Sequence, residues 1–372
     1  MANATREKSC LYEEKTISHG VSGSSASRLN VTTNVMLCFL VLVLRVLSSS
    51  PLFAYAYADE EIDCQVYNHL HVCLSNGILE SVAFKDVKAV QTIEDTELHL
   101  EDLAITDIRK NAFLRVNSST ALYLRNNGLS IVSKHYFESL DQLTYLDLRN
   151  NSIRDIEDAA FAGLNYLETL LLDYNNVSYL RPNVWRGLTE LHELYATNNN
   201  IVLKRNAFKG LRQLETLALD SNGITEIPIG TFAGLPHIDL LYLSRNKIST
   251  FQPDVFRGLN EINELDLGKN RFQSLPVGAF RYLKSLNSLW LNGNAIEAIE
   301  KDTFEGLDDL SILFLNNNEL RYVDMSAFAK MKIVTVEPGF KINDELVEHF
   351  SEHTGKYHCT NVLFQEPYDC RS

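Results

Sequence analysis

The residues best equipped for chemistry cluster near the C-terminus, where His349 and His353 stand four apart with His358 and Cys359 close behind. On a helix that spacing puts two imidazoles on one face, and an adjacent thiolate adds to the donor set that zinc prefers. Cys359 has a nearer use in pairing with Cys370, and two histidines alone close no site. We assign no metal and no cofactor. Paired carboxylates are the machinery of glycoside hydrolysis, but nothing sets one acidic residue apart as desolvated. HExxH, GxSxG and a glycine-rich phosphate loop are absent from the sequence, so a non-enzymatic protein is expected.

Charge and composition narrow the partners. The 372 residues carry 34 Lys+Arg against 48 Asp+Glu, a formal net charge of −14. Nucleic-acid backbones demand a basic face, so the acidic balance leads to the expectation of no nucleic-acid partner, and a basic one is favoured instead. With 45% hydrophobic residues there is enough apolar material for a large core.

Residues 1–58 read as a secretory signal peptide with a long n-region. Val35–Leu44 is ten apolar residues ended by Arg45, a length that suits a signal h-region rather than a span of about 20 residues. Ala56-Tyr57-Ala58 supplies the small-x-small cleavage pattern. The alternative is a type II anchor running from Val35 towards Ala58, which would hold Arg45 inside the bilayer at a cost of about 2.5–3.5 kcal/mol. Cleavage leaves a secreted, extracellular chain with no further membrane span and four cysteines: Cys64, Cys73, Cys359 and Cys370. Three pairings are open to them, and their grouping at the two ends favours the local disulfides Cys64–Cys73 and Cys359–Cys370. Sequons at Asn117, Asn150 and Asn176 mark N-glycosylation in the N-terminal half, and Asn150 adjoins the ladder residue Asn151 on the concave rim.

What positions everything else is a repeat. From Leu98 onward one phrase returns every 24 residues, as in LYLRNNGLSIVSKHYFESLDQL and LDLRNNSIRDIEDAAFAGLNYL. Asparagines keep the beat at Asn127, Asn151, Asn175, Asn199, Asn222, Asn246, Asn270, Asn294 and Asn318, with one interval of 23 residues. An aromatic row keeps it too, from Phe113 through Trp185 to Phe328. One such unit cannot bury a core alone, but stacked units share one. The asparagine amides then bridge coils as a structural ladder.

The pattern resembles the extracellular leucine-rich repeat family of the 24-residue type, found in Toll-like ectodomains, adhesion proteins and secreted insect immune proteins. That resemblance implies an α/β solenoid: a right-handed horseshoe of about ten coils, a parallel concave β-sheet and disulfide-stapled caps. The domain division expected is an N-terminal cap over 59–97, repeats over 98–334 and a C-terminal cap over 335–372, with an amphipathic helix over 342–350. A missing Asn-Pro-Trp flanking motif sets the chain apart from many relatives.

Period two puts the residue between the paired leucines of each strand on the concave face. That slot holds His99, Tyr123, Asp147, Leu171, Tyr195, Ala218, Tyr242, Asp266, Trp290 and Phe314. With flanking slots it yields the expected ligand surface: Tyr145, Tyr174, Tyr195, Asp220, Leu240, Tyr242, Asp266, Trp290 and Phe314. Aromatics ringed by charge suit an extracellular protein or glycan, in innate immunity or cell adhesion.

Overall fold

The computed structural model describes residues 62–85, 96–328 and 335–337. The leader, the Cys359–Cys370 pair, the helix over 342–350 and the histidines at 349, 353 and 358 lie outside the described residues.

Ten three-residue strands, from Glu97–His99 to Ile312–Phe314, are joined by Thr335–Glu337 in one parallel sheet of eleven. The register is fixed by the leucines: Leu98, Leu122, Leu146 and Leu170 pair in sequence, and so on to Leu313. These central leucines are between 0% and 1% exposed, so each coil covers its neighbour's apolar face. A one-residue slip would turn every one of them to solvent, which is why so short a strand holds its register. The resemblance implied an α/β architecture, but among the described residues the coils outside the large sheet carry turns, two short strand pairs (Ile131–Val132 with Asp155–Ile156, Ala298–Ile299 with Tyr322–Val323) and the 3-10 helix Met325–Phe328, and no α-helix. Twenty-four residues leave room after the strand and its turn for little more than tight backbone bends.

The repeated asparagines bridge adjacent coils. Asn175 Nδ2 donates to the carbonyls of Leu148 (2.9 Å) and Leu172 (3.0 Å), while its Oδ1 accepts from Ile153 N–H (3.0 Å). Behind it the ring row stacks at 6.3 Å for Phe137–Phe161 and Phe161–Trp185, both tilted only 6°. At the 23-residue coil the Trp185–Phe208 tilt opens to 19°, and Trp185 Nε1 donates to Ala207 O at 2.8 Å. A full-length Trp ring thus fits the shortened coil by bonding its backbone.

At the N-terminus an antiparallel hairpin of Asp63–Tyr67, Leu70–Ser75 and Ile78–Phe84 closes the first coil by pairing with Asp107–Ile108. Cys64 and Cys73 face each other in register and form the expected disulfide. The turn Asn76-Gly77 has φ of 50° and 80°, the pair of left-handed residues that a two-residue hairpin loop needs.

Candidate functional site

Three groups of side chains stand on the concave sheet. In the first coils, His99 stacks on Tyr123 at 4.5 Å and 4°, and Tyr123 meets Tyr145 at 5.2 Å. His99 also contacts Glu97 (3.3 Å) and Glu101 (3.2 Å), and Glu101 reaches Arg125 at 3.7 Å. At the far end Trp290 and Phe314 stack at 5.5 Å and 11°. Between them Tyr195 and Tyr242 flank Ala218 in register, with Asp266 beside Tyr242.

The middle group is where charge is left over. Burial pushes the Asp220 carboxyl up, although Ser244 donates to its Oδ1 from N–H (2.8 Å) and Oγ (2.6 Å). Burial also raises Asp266, and the Asp220 charge adds to that, while Gly268 N–H donates to it at 2.7 Å. The Tyr195 and Tyr242 phenols are raised by burial first, then by Glu193 and Glu264 respectively. Both phenols are therefore neutral donors at physiological pH.

Of the nine residues expected to form one ligand surface, the structure brings Tyr195, Asp220, Leu240, Tyr242 and Asp266 together on neighbouring strands, and Trp290 and Phe314 follow directly. Tyr145 belongs to the N-terminal stack, six strand spacings or roughly 29 Å from Trp290. Tyr174 sits past its strand at φ 56° and is exposed on the rim.

Three residues expected to point outward do not reach solvent. Asp147 is 0% exposed because Arg149 folds over it, donating from Nε (2.9 Å) and Nη2 (2.7 Å). Leu171 and Ala218 are buried as well. On a concave sheet side chains converge, so a short one sits at the foot of its taller neighbours. Gly268 was not anticipated: a Cβ there would lie 2.9 Å from Asn292 Oδ1 and 3.0 Å from Asp266 Oδ1. The available signal was a glycine in a slot where neighbouring coils carry Ser244 and Asn292. The sequon residue Asn150 is exposed and already donates to Asn126 Oδ1 at 2.7 Å.

Among the described residues no helix is long and apolar enough to cross a membrane, and no three metal-ligating side chains come together.

A leucine rich repeat family model matches residues 96–153, 141–201, 212–272, 261–320 and 284–335, more than half the chain. No curated protein matches along the sequence. Among solved structures the chain resembles TLR13 in the TLR13-ssRNA13 complex, at 26% identity and a TM-score of 0.60 over 63% of this chain. It spans only 35% of that chain. That complex corrects the expectation of no nucleic-acid partner. Net charge is a property of the whole molecule, whereas a solenoid presents separate columns of side chains, and aromatic rings are platforms on which bases stack.

Proposed function

Because this chain belongs to the leucine-rich repeat family, we propose that it is a secreted, glycosylated, non-enzymatic binding protein that recognises an extracellular protein or glycan through its concave sheet, in innate immunity or cell adhesion. The observation that carries this reading is the set of rings half-buried on the concave face, Tyr195, Tyr242, Trp290 and Phe314, in a coil whose core is already complete without them. Tyr and Trp concentrate contact energy at interfaces because they bring large area for few rotatable bonds. The leader over residues 1–58 and the Cys64–Cys73 disulfide support an extracellular setting.

The test expresses the full chain in cells and uses the product to capture partners from extracellular fluid. N-terminal sequencing that begins at Asp59 supports secretion; an intact leader sinks it in favour of the type II anchor. Tyr242→Ala with Trp290→Ala is expected to abolish capture with an unchanged melting temperature, and equal capture by the double variant refutes the concave-face reading. Given the TLR13 complex, a single-stranded RNA arm belongs in the same assay.

A further inference from the structure

Resting on that reading, we propose that the notch formed by Tyr195, Ala218 and Tyr242 is a subsite for the guanidinium or ammonium group of a basic side chain on a protein partner. Its shape comes from register. The two tyrosines lie on strands Glu193–Tyr195 and Leu240–Tyr242, and Ala218 on the strand between them is buried. Ala218 is the smallest side chain of this column, and it stands between two tyrosines. Two inter-strand spacings separate the tyrosine anchors by roughly 9–10 Å, and a cation seated midway lies about 5 Å from each, inside the ~6 Å reach of cation–π attraction.

The charge around the notch is complementary: its carboxylates accept hydrogen bonds from neutral donors such as Ser244, Gly268 and Thr169 and keep their negative charge unneutralised. Glu193 precedes Tyr195 by two residues, Asp220 follows Ala218 by two, and on the strand after Tyr242 Glu264 stands opposite Leu240 and Asp266 opposite Tyr242. Among the described residues none of these four carboxylates is in an ion pair. Arg245 and Lys269 act on Asp220 and Asp266 only at longer range. The N-terminal coils differ: there Asp147 is held by Arg149, and Glu101 by Arg125 and His99. The same fold thus neutralises its concave acids from within at one end and leaves them for an outside cation in the middle. Aromatic walls and unpaired acids select a cation that is weakly hydrated and planar, which is arginine before lysine.

The probe is a fluorescein-labelled hexa-arginine peptide, with binding to the secreted full chain read by anisotropy. Ala218→Leu fills the notch without changing charge, with the residue type that Leu171 already places in the same column, and an unchanged melting temperature checks that the variant is folded. The expected result is at least tenfold weaker binding by Ala218→Leu, a similar loss for Tyr195→Leu, and a change below about twofold for Glu305→Gln on an exposed convex turn. Tyr195→Phe, which keeps the ring face, is expected to retain affinity. Unchanged binding by Ala218→Leu and Tyr195→Leu overturns the subsite. So does a finding that hexa-arginine does not bind while a uridylate oligonucleotide or maltohexaose binds and is displaced by Ala218→Leu. If the subsite fails while Tyr242→Ala with Trp290→Ala still abolishes capture from extracellular fluid, the concave-face reading stands without it.

Discussion

Asn246→Ala tests the ladder most directly, because each bond it would break can be followed to its remaining partners. The Asn246 amide is 5% exposed, and its Oδ1 accepts from the N–H groups of Asn222 and Ile224, both at 3.0 Å. Its Nδ2 donates to the carbonyls of Leu219 and Leu243, again both at 3.0 Å, and to that of Ser244 at 3.2 Å, which keeps a bond from Ser221 N–H. The two sides are unequal. Leu219 O keeps Asn222 Nδ2 at 3.0 Å and Leu243 O keeps Asn270 Nδ2 at 2.9 Å, so both carbonyls stay satisfied. The two N–H groups have no substitute and are orphaned in the core. At about 1–3 kcal/mol for each buried unsatisfied donor, the loss is about 2–6 kcal/mol, read by urea unfolding. Asn222 and Ile224 amides should also exchange hydrogen faster than those two coils away. Asn246→Asp keeps the acceptor but turns a carboxylate towards two carbonyls, so the introduced group has a folded pKa above its unfolded one. Its stability is present below the unfolded pKa and lost as pH rises through the folded one, making this variant recover on acidification where Asn246→Ala does not. A loss below about 1 kcal/mol for Asn246→Ala, with unchanged exchange at Asn222 and Ile224, refutes the ladder reasoning.

Phe256 stacks at 6.4 Å on both Phe232 and Phe280 and meets Phe251 edge-on at 5.2 Å, so Phe256→Ala should cost about 3–5 kcal/mol in urea unfolding; a loss near zero would mean the ring row carries no packing. Gly234 and Gly306 share a φ of +93°, but a Cβ on Gly234 meets nothing within 4 Å whereas one on Gly306 lies 2.6 Å from Arg281 Cα. Thermal melts should therefore show Gly306→Ala well below Gly234→Ala, and matching melts would contradict the close approach. Burial holds Asp220 above its usual 3.8, so its stabilising contribution is present at low pH and fades as pH rises through the folded value. Asp220→Asn should gain on the parent in melting temperature as pH climbs from 3.8 to neutrality, and a flat or inverted difference refutes that burial.

The parts of the fold that repeat were open to reading because each coil solves the same problem. Asn127 and Asn318 occupy equivalent rungs, and any coil lacking the amide would strand the same backbone groups, so the spacing betrays the ladder. Likewise the alternation that buries Leu194 and Leu241 puts Tyr195 and Tyr242 on the other face. What was hidden depends on neighbours rather than on period. Asp147 looks outward by alternation and is covered by Arg149 two residues on. Tyr136, beside the ring row, is buried and donates to Asp107 from the preceding coil, a contact that no local pattern announces. Within the concave face, spacing pointed to the rings of the central notch, while the bonds from Ser244 to Asp220 and the room Gly268 leaves for Asp266 come from packing across coils.

The strict parallel register has a consequence for how such a surface changes over time. Since every strand sits opposite its equivalent in the next coil, excising one whole coil rejoins leucine to leucine and amide to carbonyl. Loss of the coil that carries Ala218 would move Tyr195 alongside Tyr242, altering the distance between anchor points by one step of a ruler while every surviving residue kept its identity. Gain or loss of genetic units, rather than point substitution, is thus the mutation that resets the gauge of this protein's inner curve.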